Sequence, residues 1–168
     1  MDTRRRILDV ARELFAAQSY AGTSIADITG RLGMGKAALY YHCSSKAEIL
    51  AALVEEPLAA YARLAAGGLA PAELLAAVVD TTAAYLDVVD ALGSDPSARA
   101  VIRDLSRQRG ADDLNAAIIA ALAGPAPSER RRVRAHAAYA VAKHGTLSLG
   151  RDVDRAELVA SAMRVLDA

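Results

Sequence analysis

Between Lys36 and Lys46 the chain gathers two lysines, the pair Tyr40-Tyr41 and His42. A lysine ammonium neutralises phosphate or reaches a guanine edge. A tyrosine hydroxyl binds phosphate, and a small side chain such as Ala37 or Ala38 meets a thymine methyl. Arg4, Arg5 and Arg6, read as a basic arm ahead of the first helix, add cations able to reach a nucleic-acid backbone or groove. No catalytic device competes with this set. His136 and Lys143 are seven residues apart and Lys143 adjoins His144, so no acid–base pair converges. There is no nucleophile elbow or phosphate loop, and three scattered histidines with one cysteine have no metal-binding spacing. The sequence therefore predicts no catalytic residue, no metal, no cofactor and no enzyme activity.

Such side chains need a rigid mount, and the flanking residues describe one. Ile7, Val10, Ala11, Leu14 and Phe15 form one apolar stripe on a helix over 3–18. Ser24 with Asp27 is a capping box opening a second helix, with Ile25, Ile28 and Leu32 on its buried side. Gly33 supplies the turn, where positive φ is wanted. A third helix over 36–42 leaves Lys36, Ala37, Ala38, Tyr40 and His42 outward or at the edge. Ser45 with Glu48 is a second capping box, opening a fourth helix over 46–66. Two short helices about a glycine turn are a means of laying one helix in the DNA major groove.

Leu39-Tyr40-Tyr41-His42, preceded by Leu32-Gly33-Met34-Gly35-Lys36 and followed by Ser45-Lys46-Ala47-Glu48, closely resembles the TetR family of bacterial transcription regulators. The resemblance covers residues 1–53. It implies phosphate contacts from Tyr40 and Lys46, an approach of Thr23 and Ser24 to the DNA backbone, and a groove-facing set of Lys36, Ala37, Ala38 and His42. Tyr41 is expected between helices. The chain departs from the family pattern at Gly35, Ala37-Ala38, Thr29 and Cys43, so a hydroxyl contact from residue 38 is lost, and Lys36 and DNA shape are left with much of the selectivity. The resemblance also implies a homodimer on a palindromic operator of double-stranded DNA, acting as a repressor that a small-molecule effector releases. The alternative is the same fold answering to a protein partner or to no ligand.

Composition sets the frame. The 168 residues are 54% apolar but only 4% aromatic, with no tryptophan and abundant alanine, which favours an all-α protein. Net charge is zero, yet residues 1–46 carry seven Lys/Arg against four Asp/Glu, a basic head on an acidic remainder. The expected division is a three-helix DNA-binding domain over 1–46 and a helical effector-binding and dimerisation domain over 47–168, about nine helices in all. The start MDTRRRILDV does not read as a signal peptide, and no apolar run is long enough to span a membrane. With the lone Cys43, this predicts a cytoplasmic protein with no membrane partner.

Pro57 interrupts the fourth helix and is read as a joint. A fifth helix is expected over 71–92, with Leu75, Val78, Val79, Thr82, Leu86 and Val89 inward. Asp95 caps a sixth, Asp112 opens a seventh, Ser128 an eighth, and Asp154 with Glu157 a ninth. On the eighth, Ala135, Ala138, Ala142, Gly145 and Leu149 recur at three and four, and the ninth offers Leu158, Ala162, Val165 and Leu166. These small-residue stripes are the expected dimer interface. Polar groups for an apolar effector pocket are Tyr61, Thr82, Tyr85, His136, Tyr139 and His144. The arginine run Arg130, Arg131, Arg132 and Arg134 is read as a solvated helix start.

Overall fold

The computed structural model describes residues 2–86, 88, 95–108 and 110–168. Among them are nine helices and no strands: α1 (Thr3–Gln18), α2 (Ile25–Leu32), α3 (Lys36–His42), α4 (Lys46–Ala66), α5 (Pro71–Ala84), α6 (Pro96–Gln108), α7 (Ala111–Ala123), α8 (Glu129–Leu149) and α9 (Arg155–Asp167). The boundaries follow local chemistry. Ser24 accepts from the Asp27 amide while the Asp27 carboxylate accepts from the Ser24 amide, the reciprocal box that fixes α2. Gly33 ends α2 at φ 65°, a left-handed conformation that favours glycine, and the Met34 amide returns to the Thr29 carbonyl. Ser128 caps α8 through the Arg131 amide.

Two of the expected boxes close differently. Glu48 reaches back to the amide and hydroxyl of Ser44, at 2.7 and 2.6 Å, while Ser45 accepts from the Glu48 amide. Asp154 accepts from the Glu157 amide, but the Glu157 carboxylate turns to Ser161 and Arg164 instead. Helix α7 begins at Ala111 with Gly110 as its N-cap, one residue before the predicted start. Helix α5 ends at Ala84, with Tyr85 as its C-cap. The predicted uninterrupted run to 92 therefore breaks at Tyr85, although Leu86 is buried as expected; Val89 and the stop at Gly93-Ser94 lie outside the described residues, as does the predicted end of the sixth helix at Arg109.

By packing, the chain separates into two compact units: Met1–Glu56 with Asp87–Arg109, and Pro57–Leu86 with Gly110–Ala168. The division falls inside α4, immediately before Pro57. In the first unit α1, α2 and α3 pack on one another, burying Ile7, Ala11, Phe15, Ile28 and Leu39. Cys43, Ile49 and Leu50 are buried in the same unit, and burial raises the Cys43 thiol pKa.

In the second unit α8 is the central helix, packed by α5, α7 and α9. Its inner face carries Ala135, Ala138, Tyr139 and Ala142 against Leu74, Leu75, Val78, Ile118, Leu122, Leu158 and Leu166. Alanine here lets the helices approach closely.

One member of the arginine run is not a solvated side chain. The Arg131 guanidinium donates to the carbonyls of Leu166 at 2.7 Å and Leu122 at 3.4 Å, closing the C-terminal ends of α9 and α7 from the start of α8. Basic groups at helix C-termini satisfy orphan carbonyls and oppose the helix dipole. Arg131→Ala should therefore lower stability by about 1–2 kcal/mol in thermal unfolding, whereas Arg130→Ala should leave it unchanged.

Candidate nucleic-acid interface

Helix α3 is short enough for one buried side chain to fix its orientation. Leu39 is wholly buried against the first-unit core. At 100° per residue, the positions farthest from Leu39 are Ala37 and Tyr41, flanked by Ala38 and Tyr40. All four are exposed, as is Lys36, while His42 is half-buried. The outward face is therefore Lys36, Ala37, Ala38, Tyr40 and Tyr41. Among the described residues Lys36 and the two tyrosine hydroxyls make no hydrogen bond or ion pair. The expectation that Tyr41 packs between helices is overturned: it is 86% exposed, with only an edge contact to the His42 ring at 5.2 Å. Its i+4 spacing from Ala37, read against the buried Leu39, was the signal that could have placed it.

The helix α2 start is less open than predicted. Thr23 is buried and donates its hydroxyl to the Ser19 carbonyl at 2.8 Å. The Ser24 hydroxyl donates to Asp27 at 2.7 Å. Those bonds from Ser24 hold the Asp27 carboxyl below its usual range, so an anion already occupies this helix N-terminus. Thr23 and Ser24 thus shape the turn with their hydroxyls engaged. Arg4, Arg5 and Arg6 do not form an arm: Asp2 caps α1 through the Arg4 amide, and the three exposed arginines stand on the first helical turns.

Lys46 is placed differently from a simple surface cation. Its ammonium donates to the carbonyls of Tyr20 and Thr23, both at 2.8 Å, and lies 4.3 Å from the centre of the Tyr20 ring. The loop between α1 and α2 is thereby tied to the start of α4. From the other side the same loop is held by Asp95, which sequence reasoning took only as a helix cap. Asp95 is 4% exposed; it accepts from the Ala21 amide at 2.6 Å and from the Ser97 and Ala98 amides at 2.8 and 3.3 Å. These bonds, the Ala21 amide foremost, depress its pKa.

In the second unit, three of the six predicted pocket groups come together. The Tyr61 and Thr82 hydroxyls are 2.5 Å apart, and Tyr139 donates to the Asn115 side-chain carbonyl at 2.5 Å. Lys143 joins them, donating to Asn115 at 3.1 Å with its ammonium 4.7 Å from the centre of the Tyr61 ring and 5.5 Å from that of Tyr139. Burial raises the pKa of both tyrosines. Tyr85 lies half-buried at the end of α5, and His136 and His144 are exposed on α8, outside the cluster.

The predicted dimer stripe faces inward. Ala135, Ala138, Ala142 and Ala162 are fully buried within the one chain, and Leu158 is 7% exposed. A Cβ on Gly145 would meet Leu158 at 2.7 Å, so that glycine serves the contact of α8 with its own α9. Val165 is half-buried against the same core, and only Leu149 is largely exposed. Small side chains permit close approach without saying whose helix approaches.

No described helix is long and apolar enough to cross a membrane, and no three acidic, histidine or cysteine side chains among the described residues are grouped to hold a metal.

Residues 7–53 match the model of the bacterial regulatory proteins, tetR family. The chain is 30% identical over 105 residues to the HTH-type transcriptional repressor KstR2 of Rhodococcus jostii, covering 60% of this chain and 48% of that protein. Across the curated relatives it matches between 25% and 48% of their length. Mycobacterium smegmatis AmtR superposes with a TM-score of 0.67 at 27% identity, over 100% of this chain and 87% of that one. A transcriptional regulator from Aquifex aeolicus superposes with a TM-score of 0.78 at 21% identity, over 99% and 98% of the two chains, a likeness of fold.

Proposed function

We propose that this chain acts as a homodimeric repressor of the TetR family of bacterial transcriptional regulators, released from a palindromic operator by a small-molecule effector. The observation that carries the DNA-binding half of this reading is the outward face of α3, where the Lys36 ammonium and the Tyr40 and Tyr41 hydroxyls stand exposed with no hydrogen bond or ion pair among the described residues. In this reading residues 1–46 bind DNA and 47–168 bind effector and partner. Lys36 reaches a base edge or phosphate, Ala37, Ala38 and Tyr41 meet the groove, and Tyr40 and the α1 arginines contact the backbone.

Dimerisation is proposed through the face of α8 opposite the inward stripe. Val133, Ala137, Ala140 and His144 recur there at four, three and four, with Val133 64% exposed. An isologous contact of this kind sets two heads on a two-fold axis, which a palindrome matches. The effector site is proposed at Tyr61, Thr82, Tyr139 and Lys143. Helix α4 runs from one unit into the other, and release follows if the effector favours a setting of that helix that the operator does not.

The test is titration of the protein onto DNA from upstream of its own coding sequence, against a scrambled duplex, over a salt series. We expect two chains per site, preference for the upstream duplex, and a fall in affinity with salt. Lys36→Ala should relax sequence preference, with about 1–3 kcal/mol of discrimination lost at one base position. Tyr40→Phe should weaken all duplexes alike. Equal, weak binding to both duplexes by the unmodified protein would refute sequence-specific recognition, and a single chain per site would refute the dimer.

A further inference from the structure

A groove of about 450 Å³ runs along the outer side of α7 beside α8, within the second unit. Its floor exists because α7 places alanine at 116, 120 and 123, with Ile119 and Asn115 the longer α7 side chains in the lining. Arg132 and His136 stand one turn apart on α8 and line its other side. Among the described residues no carboxylate lines the groove, and neither the Arg132 guanidinium nor the His136 ring has a hydrogen-bond or ion-pair partner. The volume lies within the range of about 300–1,000 Å³ typical of small-molecule sites, which join an apolar wall to a few polar groups.

We propose that this groove binds an unbranched aliphatic carboxylate, its head on Arg132 and His136 and its chain along Ala116, Ile119 and Ala120. Charge complementarity selects the anion: a guanidinium offers paired donors to a carboxylate, and no acidic side chain among the described lining residues competes for them. The methyl-lined floor selects a slender chain over a ring. From Ala116 to Ala123 the helix rises about 10 Å, a length that suits a chain of roughly eight to ten carbons. The groove adjoins the Tyr61–Tyr139 cluster through Asn115, which lines the groove and accepts from Tyr139 and Lys143, but its charged end is Arg132 and His136, and DNA takes no part in it.

The test is isothermal titration of the full chain with sodium decanoate below its micelle-forming concentration. We expect saturable binding of one decanoate per chain, with octanoate weaker by about tenfold for two fewer buried methylenes. Ala120→Leu fills the floor from an exposed position and should abolish binding. Arg132→Ala should weaken decanoate about tenfold while leaving 1-decanol binding equal to that of the unmodified protein. Circular dichroism would show both variants folded. The proposal is overturned if decanoate shows no saturable binding, or if neither substitution changes it. It is equally overturned if Ala120→Leu abolishes self-association while decanoate fails to bind, which would make a second copy the occupant. Because the titration contains no DNA, its failure is distinct from failure of the operator assay.

Discussion

Lys46→Ala should cost about 2–4 kcal/mol of stability and lower operator affinity at least a hundredfold, with little change in the salt dependence of what binding remains. Its ammonium makes two bonds of 2.8 Å to the Tyr20 and Thr23 carbonyls. Removing it leaves the Thr23 carbonyl without the ammonium and the Tyr20 carbonyl with only the Thr23 amide at 3.3 Å, beside buried Tyr20 and Thr23, and an unpaired enclosed acceptor costs more than the bond contributed. The loop it holds sets the start of α2, on which α3 packs. A lysine that served only as a phosphate contact would behave otherwise: unfolding would not change, and the salt slope would fall by about one. Thermal unfolding together with a salt series on operator DNA separates the two roles. Lys46→Met, which keeps the aliphatic stem over the Tyr20 ring, should lose as much as Lys46→Ala if the carbonyl bonds are what matters.

Asp95→Asn should weaken operator binding by roughly tenfold and remove an acid-sensitive part of the protein's stability. The Asn oxygen can still accept the Ser97 and Ala98 amides that cap α6. The Ala21 amide, 2.6 Å from the second carboxylate oxygen, then faces a donor. Asp95→Ala loses both functions and should be the more damaging. The pH dependence has a definite sign. The pKa of folded Asp95 is depressed below its ordinary 3.8, chiefly by the Ala21 amide, so its contribution is complete above the unfolded value and is lost as pH falls through the folded one. The stability difference between the unmodified protein and Asp95→Asn should be constant near neutrality and shrink in acid. A difference that persists unchanged in acid would show that the carboxylate charge is not what holds the loop.

The helices were legible because their signals are local. Ser24 with Asp27, Gly33, Pro71, Pro96 and Ser128 each act within a turn of themselves, and eight of the nine predicted helix starts, with the ends of α1 to α4 and α8, agree with the structure. The outward lysine, alanines and Tyr40 of α3 were legible too, since one wholly buried leucine sets the rotation of a seven-residue helix.

Tertiary structure decided the rest, and the reason is sequence separation and degeneracy. Lys46 finds its carbonyls 26 and 23 residues away, and Asp95 its amide 74 residues away. No periodicity connects such positions. Helix α8 has small or apolar side chains on opposite sides, Ala135, Ala138 and Ala142 on one and Val133, Ala137 and Ala140 on the other. Spacing alone could not say which side the chain's own α5, α7 and α9 would claim. By itself the sequence determined which segments are helical and that α3 presents an exposed face of lysine, alanines and tyrosine. Only packing determined which faces were already covered, because that depends on neighbours remote along the chain competing for the same surface.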